Sequence, residues 1–253
     1  MKLIHKFKSP NYDYRKSKSI KFIIIHYTAL GSLEEAIKHL CLKNNKVSSH
    51  YLISQKGEVY NLVSDAKRAW HAGLSFWQGK SDINSLSIGI ELDYSPSGLN
   101  NKFSNKLKTN LCLLLQYLVK KYQIVPENIL GHSDIAPYRK IDPGKQFPWY
   151  LLENKKITSN PKIKKNSKLL IKKLRLWFLK NKFYSKKNRI LFMLNSIGYD
   201  IFPAFKNSKK YSQLINAYSL RNRIYKNYYY NKKNIEKVVE FHFLNMLLTK
   251  FKK

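Results

Sequence analysis

Apolar positions along this chain follow two regimes. Between about residues 20 and 150 they form short β-branched or alternating runs separated by amphipathic stretches, and beyond about 167 only helical spacing remains. Residues 21–28, Lys-Phe-Ile-Ile-Ile-His-Tyr-Thr, read as a central strand buried on both faces, with His26 near its C-terminal end. Gly31 breaks that strand. Ser32-Leu33-Glu34-Glu35 is a capping box, and Leu33, Ala36, Ile37, Leu40 and Cys41 at helical spacing predict a helix over about 33–43. Residues 50–54 and 58–63 flank Gln55-Lys56-Gly57 and predict a β-hairpin. Residues 64–85, with Trp70-His71-Ala72-Gly73 and Trp77, have no period and read as a long loop, a class that is usually functional. Residues 86–93 read as a strand with Glu91 near its end. Ser104 caps a predicted helix reaching about residue 122, with Leu107, Leu111, Leu114, Leu115, Leu118 and Val119 on one face. Ile129-Leu130 reads as a strand end that leads into a polar segment, 131–144.

From Asn154 the composition shifts. Lys, Asn, Ser and Pro161 predict a linker over about 154–166. Leu169, Leu170, Leu174, Trp177 and Phe178 mark one helix beyond it. Ile190, Leu191, Leu194 and Ile197 mark a second, stopped by Gly198, and residues 214–224 and 235–248 mark two more. Residues 1–19 are polar and basic and read as an extended arm. The expected organisation is an α/β domain over 20–153, then a small all-α domain over 167–253.

Composition narrows the class. At 253 residues and 43% apolar content the chain is globular and long enough for one full core plus a smaller unit. Its net charge is +33, and it is uneven: residues 156–253 hold 25 Lys+Arg against 3 Asp+Glu. Such a region suits an anionic partner: nucleic acid, anionic lipid or a cell-wall polymer. Compositional drift toward Lys, Asn, Ile and Tyr is the competing explanation. The two cysteines, Cys41 and Cys112, fall on apolar helix positions and read as buried thiols, so no disulfide framework is implied. The N-terminus lacks a secretory h-region, from which a cytoplasmic location is expected, with the cell envelope as alternative. Apolar runs fall far below membrane-spanning length.

The segment Gly131-His132-Ser133-Asp134-Ile135-Ala136-Pro137-Tyr138-Arg139-Lys140-Ile141-Asp142-Pro143-Gly144 carries the densest chemistry. Alone it is read as a polar surface loop in which Asp142 starts a Pro-Gly turn. The strand ends change that reading. Working groups in open α/β sheets collect beyond the carboxyl ends of strands, where His26, Glu91 and His132 fall. Two imidazoles and a carboxylate, Asp142, form a known ligand set for catalytic zinc, and a second carboxylate nearby suits a proton shuttle.

Six blocks in order now carry a family resemblance: Ile23-Ile24-Ile25-His26-Tyr27-Thr28, Ser48-Ser49-His50-Tyr51-Leu52-Ile53, Trp70-His71-Ala72-Gly73, Ser87-Ile88-Gly89-Ile90-Glu91, Gly131-His132-Ser133-Asp134-Ile135-Ala136-Pro137 and Arg139-Lys140-Ile141-Asp142-Pro143-Gly144. Together they resemble the zinc N-acetylmuramoyl-L-alanine amidases of the amidase-2 type. The resemblance implies a mixed central sheet flanked by helices, shared with peptidoglycan recognition proteins. It implies zinc on His26, His132 and Asp142, Glu91 as catalytic acid/base and Lys140 as stabiliser of the oxyanion. It also implies a substrate-groove role for His71, against which stands a plain loop histidine. His50 reads as packing near the metal or substrate, Trp70 and Trp77 as groove lining or simple aromatic packing, and His5, His39 and His242 as surface or helix histidines.

The expected reaction is hydrolysis of the amide between N-acetylmuramic acid and L-alanine, in peptidoglycan or its muropeptides, by a monomer. The helices around 190–199 and 214–218 faintly resemble a three-helix peptidoglycan-binding domain. Two other classes compete. A non-catalytic recognition protein of the same fold commonly lacks a complete zinc set, whereas His26, His132, Asp142 and Glu91 are all present. A nucleic-acid-binding protein is not expected, because residues 156–253 contain no nucleic-acid motif.

Overall fold

The computed structural model describes residues 1–17, 19–98, 101–159, 167–223 and 234–250. Two compact units divide the chain: Met1–Ser75 with Ser81–Ser159, and Phe76–Lys80 with Asn160–Lys253.

In the first unit the elements are β1 (Leu3–Ile4), β2 (Tyr12–Tyr14), β3 (Phe22–Tyr27), α1 (Leu33–Cys41), β4 (Tyr51–Ile53), β5 (Val59–Asn61), β6 (Lys67–Ala69), α2 (Ile83–Leu86), β7 (Ser87–Leu92), α3 (Asn105–Tyr122), β8 (Ile129–Gly131), α4 (His132–Ile135) and α5 (Trp149–Asn154). Six strands form a mixed sheet in the order β1-β5-β4-β7-β3-β8. The four strands β4, β7, β3 and β8 are parallel, while β5 runs antiparallel to β4 and parallel to β1.

Side-chain alternation gives the two faces different tasks. One face presents Ile23 and Ile25 of β3, Ile88, Ile90 and Leu92 of β7, Ile129 of β8, and Tyr51 and Ile53 of β4. Helix α3 covers it with Leu107, Leu111, Leu114, Leu115 and Leu118. Each fully buried leucine contributes roughly 1.5–3 kcal/mol. Ser104 caps this helix by accepting the Leu107 N–H at 3.1 Å. On the other face α1 packs Ala36 and Leu40 against Leu52, Tyr60 and Leu62. The alternation leaves His26, Ser87, Gly89 and Glu91 on that same second face.

Residues 1–17 differ from the expected arm. β1 pairs with β5, and β2 pairs antiparallel with β6. Arg15 donates to the carbonyls of Asp65, Asn84, Ser85 and Ser87 at 2.8–3.1 Å. Strands of two or three residues carry no readable period, so only tertiary partners reveal them. The expected loop 64–85 likewise contains β6 and α2. Of the expected linker, residues 154–159 belong to the first unit, with Ile157 and Thr158 buried, and residues 160–166 lie outside the described residues. Cys112 is buried and Cys41 half-buried, both as free thiols.

The second unit is helical among its described residues: α6 (Ser167–Lys180), α7 (Lys186–Ile197), α8 (Phe202–Lys206), α9 (Ser208–Arg221) and α10 (Ile235–Lys250). The short α8, which begins Phe-Pro, is an addition to the four expected helices; the expected end of the third helix at Ile224 lies outside the described residues. Phe178, Phe183 and Phe243 each meet Phe192 edge-to-face. Arg175 grips the buried Glu240 carboxylate with two hydrogen bonds, 2.7 and 2.8 Å. Trp77 also belongs to this unit: it is buried, packs edge-to-face on Tyr199 at 4.8 Å, and its neighbour Gln78 donates its N–H to the Gly198 carbonyl. No described helix is long and apolar enough to cross a membrane.

Candidate functional site

Three adjacent parallel strands end at one place. His26 is the fifth residue of β3 and Glu91 the fifth of β7, opposite each other in register. His132 follows β8 directly as the first residue of α4. Asp142 arrives from the returning chain, whose carbonyl accepts the Ser133 N–H at 2.9 Å. Gly131 makes this approach possible: a Cβ there would stand 2.6 Å from Pro143 Cδ. The Asp142–Pro143 peptide is cis.

The resulting geometry is a small triangle. His26 Nδ1 lies 3.0 Å from His132 Nδ1 and 3.2 Å from Asp142 Oδ2, and His132 Nδ1 lies 3.0 Å from the same oxygen. All three residues are buried. Two ring nitrogens and a carboxylate oxygen converging so closely need a positive charge among them. Tetrahedral zinc with bonds of about 2.0–2.1 Å separates its donors by roughly 3.3 Å, so this triangle fits zinc with a slight widening. The donor set can hold a metal ion.

Electrostatics agrees with that use. Burial, then the neighbouring His132, pushes His26 down to about 4, so it is neutral and able to ligate at neutral pH. Burial alone would raise the Asp142 carboxyl, but the close approach of the His132 and His26 rings outweighs it and holds it far below the usual range. Glu91 behaves oppositely. Burial, then the Asp142 charge, pushes it up to about 8 against a smaller opposing pull from Lys140. Its Oε2 is buried with no hydrogen-bond partner among the described residues. A carboxyl with a raised pKa beside such a triangle has the chemistry to give and take a proton near neutral pH.

Two expected substrate contacts lie elsewhere. His71 is buried behind His26, its Nδ1 3.0 Å from His26 Nε2 and its Nε2 3.2 Å from Ser87 Oγ. His50 is fully buried; its Nδ1 accepts the Gly89 N–H at 3.0 Å and its Nε2 faces the Lys67 carbonyl at 3.1 Å. With both nitrogens of each ring engaged inside the protein, neither is placed to touch a substrate. Trp70 stays half-exposed, and its indole N–H donates to Asp13 Oδ2 at 2.8 Å. His5 and His39 are exposed, and His242 in α10 meets the Tyr218 hydroxyl at 3.2 Å.

Sequence reasoning missed four residues around the site. Asn84 Oδ1 accepts the N–H groups of His71 and Ala72, at 3.1 and 2.7 Å. Arg139 donates to the carbonyls of Ala72 and Leu74. Ser87 and Gly89 complete the set. The signal available for the last two was the alternation Ser-Ile-Gly-Ile-Glu, which places two small residues on the face that carries Glu91.

Comparison with known proteins agrees with this geometry. The family profile described as N-acetylmuramoyl-L-alanine amidase matches residues 16–145. The chain is 37% identical over 155 residues to N-acetylmuramoyl-L-alanine amidase AmiD of Escherichia coli, covering 56% of this chain and 55% of AmiD. It is 40% identical over 126 residues to 1,6-anhydro-N-acetylmuramyl-L-alanine amidase AmpD of Enterobacter cloacae, covering 50% of this chain and 63% of AmpD. The chain thus spans 55% and 63% of the length of these two curated relatives. Among solved structures, a complex of E. coli AmiD with its substrate anhydro-N-acetylmuramic acid-L-Ala-D-gamma-Glu-L-Lys superposes with a TM-score of 0.71 at 28% identity, covering 89% of this chain and 91% of that one. AmpDh3 of Pseudomonas aeruginosa gives a TM-score of 0.70 at 25% identity, covering 96% and 98%. A profile spanning residues 16–145, over half of the chain, makes this protein a member of the N-acetylmuramoyl-L-alanine amidase family.

Proposed function

We propose that the protein is a zinc amidase that cuts the amide between the lactyl carbonyl of N-acetylmuramic acid and the amine of L-alanine. One observation carries this reading: the His26–His132–Asp142 triangle lies beside Glu91, whose buried Oε2 has no hydrogen-bond partner among the described residues. The substrate class follows from AmiD, solved with an anhydromuramoyl peptide, and from the AmpD name.

His26 Nδ1, His132 Nδ1 and Asp142 Oδ2 would hold the ion. When bound, zinc supplies Lewis-acid polarisation and lowers the pKa of a water to about 7. A positive charge in the triangle would favour the carboxylate form of Glu91, whose Oε2 takes the proton of the attacking water and passes it to the departing alanine nitrogen. The products are a free lactyl carboxylate and a free peptide amine. Lys140, whose charge is felt by both His26 and Glu91, stabilises the negative charge that develops on the carbonyl oxygen. Trp70 offers a half-exposed ring to the substrate. The helical unit, with the charge excess of residues 156–253, holds the enzyme to an anionic wall polymer.

Mass spectrometry of products from purified anhydromuropeptides, with and without a chelator, tests the reaction. Chelator-sensitive appearance of free peptide with an N-terminal alanine is expected. Peptides left uncut by the zinc-loaded chain would overturn it.

A further inference from the structure

We propose that the dipeptide His71–Ala72 orients both imidazole donors of the metal site, one through its side chain and one through its backbone carbonyl. The inference rests on the zinc reading above and adds residues to it.

The protons can be followed from the outside in. Ser87 Oγ donates to the Ile83 carbonyl at 2.6 Å. With its proton committed there, Ser87 Oγ can only accept, so the proton of His71 is on Nε2, 3.2 Å away. His71 Nδ1 is then a bare lone pair, 3.0 Å from His26 Nε2. That nitrogen must carry the proton of His26, which frees His26 Nδ1 for the triangle. On the other side, His132 Nε2 lies 3.1 Å from the Ala72 carbonyl. A carbonyl only accepts, so His132 is also protonated on Nε2 and bare on Nδ1. Arg139 Nη2 lies 3.3 Å from that same Nε2, but its hydrogens go to the Ala72 and Leu74 carbonyls. Both ligand tautomers are thereby set by two consecutive residues.

The dipeptide is itself rigidly held. Asn84 fixes both of its N–H groups, and Arg139 fixes the Ala72 carbonyl. Space for the His71 ring exists because residue 89 has no side chain: a Cβ on Gly89 would stand 2.4 Å from His71 Cγ. These contacts act on ring direction and basicity, the usual route by which groups behind a ligand tune a metal.

Two measurements on the full chain test the proposal. Long-range proton–nitrogen NMR of the metal-free protein reads the tautomers, and His26, His71 and His132 are all expected to be protonated on Nε2. Competition with a chromophoric chelator reads zinc affinity. His71→Phe keeps the ring volume but not the acceptor, and should weaken zinc by about 10–100-fold. His71→Asn restores an acceptor at the Nδ1 position and should recover most of that loss. Should His71→Phe fail to fold, Ser87→Ala is the substitute: it removes the acceptor that fixes the His71 tautomer and should weaken zinc while leaving the ring in place. A His26 without a proton on Nε2, or a folded His71→Phe that binds zinc as the wild type does, overturns the proposal. A wild-type chain with Nε2-protonated histidines that takes up zinc yet cuts no muropeptide would overturn the amidase reading alone.

Discussion

His26 and Glu91 stand opposite each other in the parallel pair β3–β7, at the same register and on the same sheet face. The proposed metal donor and the proposed proton-handling carboxyl are thus fixed by strand pairing, without help from a loop. Glu91→Gln preserves shape and removes only the titrating group. It should keep about one zinc per chain and the native melting temperature, while turnover falls ~10²–10⁴-fold. Steady-state kinetics on an anhydromuropeptide, alongside metal analysis, checks this. Near-native turnover would remove Glu91 from the mechanism.

His26→Ala, His132→Ala and Asp142→Ala should each lose zinc and activity together, because the triangle has three corners and zinc sites with two protein donors are weak. Lys140→Met should lower turnover with metal content unchanged. Stoichiometric zinc in all three alanine variants would refute the ligand assignment.

The metal-free protein should show a pH dependence with a definite sign. Glu91 has a folded pKa of about 8 against an ordinary 4.5. The folded state therefore keeps a proton that the unfolded chain releases. That contribution is complete below the ordinary value and is lost as pH rises through about 8. His26, lowered to about 4 from 6.5, runs the other way: its contribution is present above 6.5 and is lost as pH falls through about 4. Melting temperatures of metal-free wild type and Glu91→Gln should therefore diverge between about pH 5 and pH 8.5, the wild type losing more. Parallel curves would mean that Glu91 titrates normally.

Removing the helical unit tests the division of the chain. A chain ending at Ser159 keeps every strand of the sheet but deprives Trp77 of Tyr199 and Gln78 of the Gly198 carbonyl. The fragment should fold and cut small muropeptides, melt lower than the full chain, and be nicked by protease between residues 74 and 80. It should also lose binding to intact sacculi. Wall binding by the full chain should weaken with salt, since exposed charges are screened beyond roughly 10 Å at 0.1 M. Sedimentation with sacculi at two salt concentrations reads both effects; a fragment that binds as well as the full chain would refute wall binding by the helices.

What could be read from residues alone follows from range. The β3 run, the leucines of α3 and the hairpin of β4 and β5 announce themselves because their periods are local. His26, Glu91 and His132 were visible as chemistry at strand ends, and the six blocks that include Asp142 pointed to the family. Other features depend on partners far away in the chain. Arg15 meets carbonyls 50 to 72 positions on, and β1 and β2 are too short to carry a pattern. His71 reads as a substrate-groove or plain loop histidine until His26, 45 positions earlier, and the empty side of Gly89 are placed against it. Trp77 joins the helices although it sits in the middle of the α/β sequence.

The ligand triangle also has a mechanical side. Its corners are 106 and 10 positions apart along the chain, so an ion held there fastens one long stretch of polypeptide and one short one with a single knot. The knot lies at the end of β8, the outermost strand on that side, which is joined to β3 through three register pairs. An ion bound a hundredfold above its Kd adds ~2.7 kcal/mol to the folded state. Much of that should be felt locally, where an edge strand would otherwise peel first. Amide hydrogens of residues 129–131 should exchange with deuterium more slowly once zinc is added, which would make the bound ion a rivet of the sheet edge.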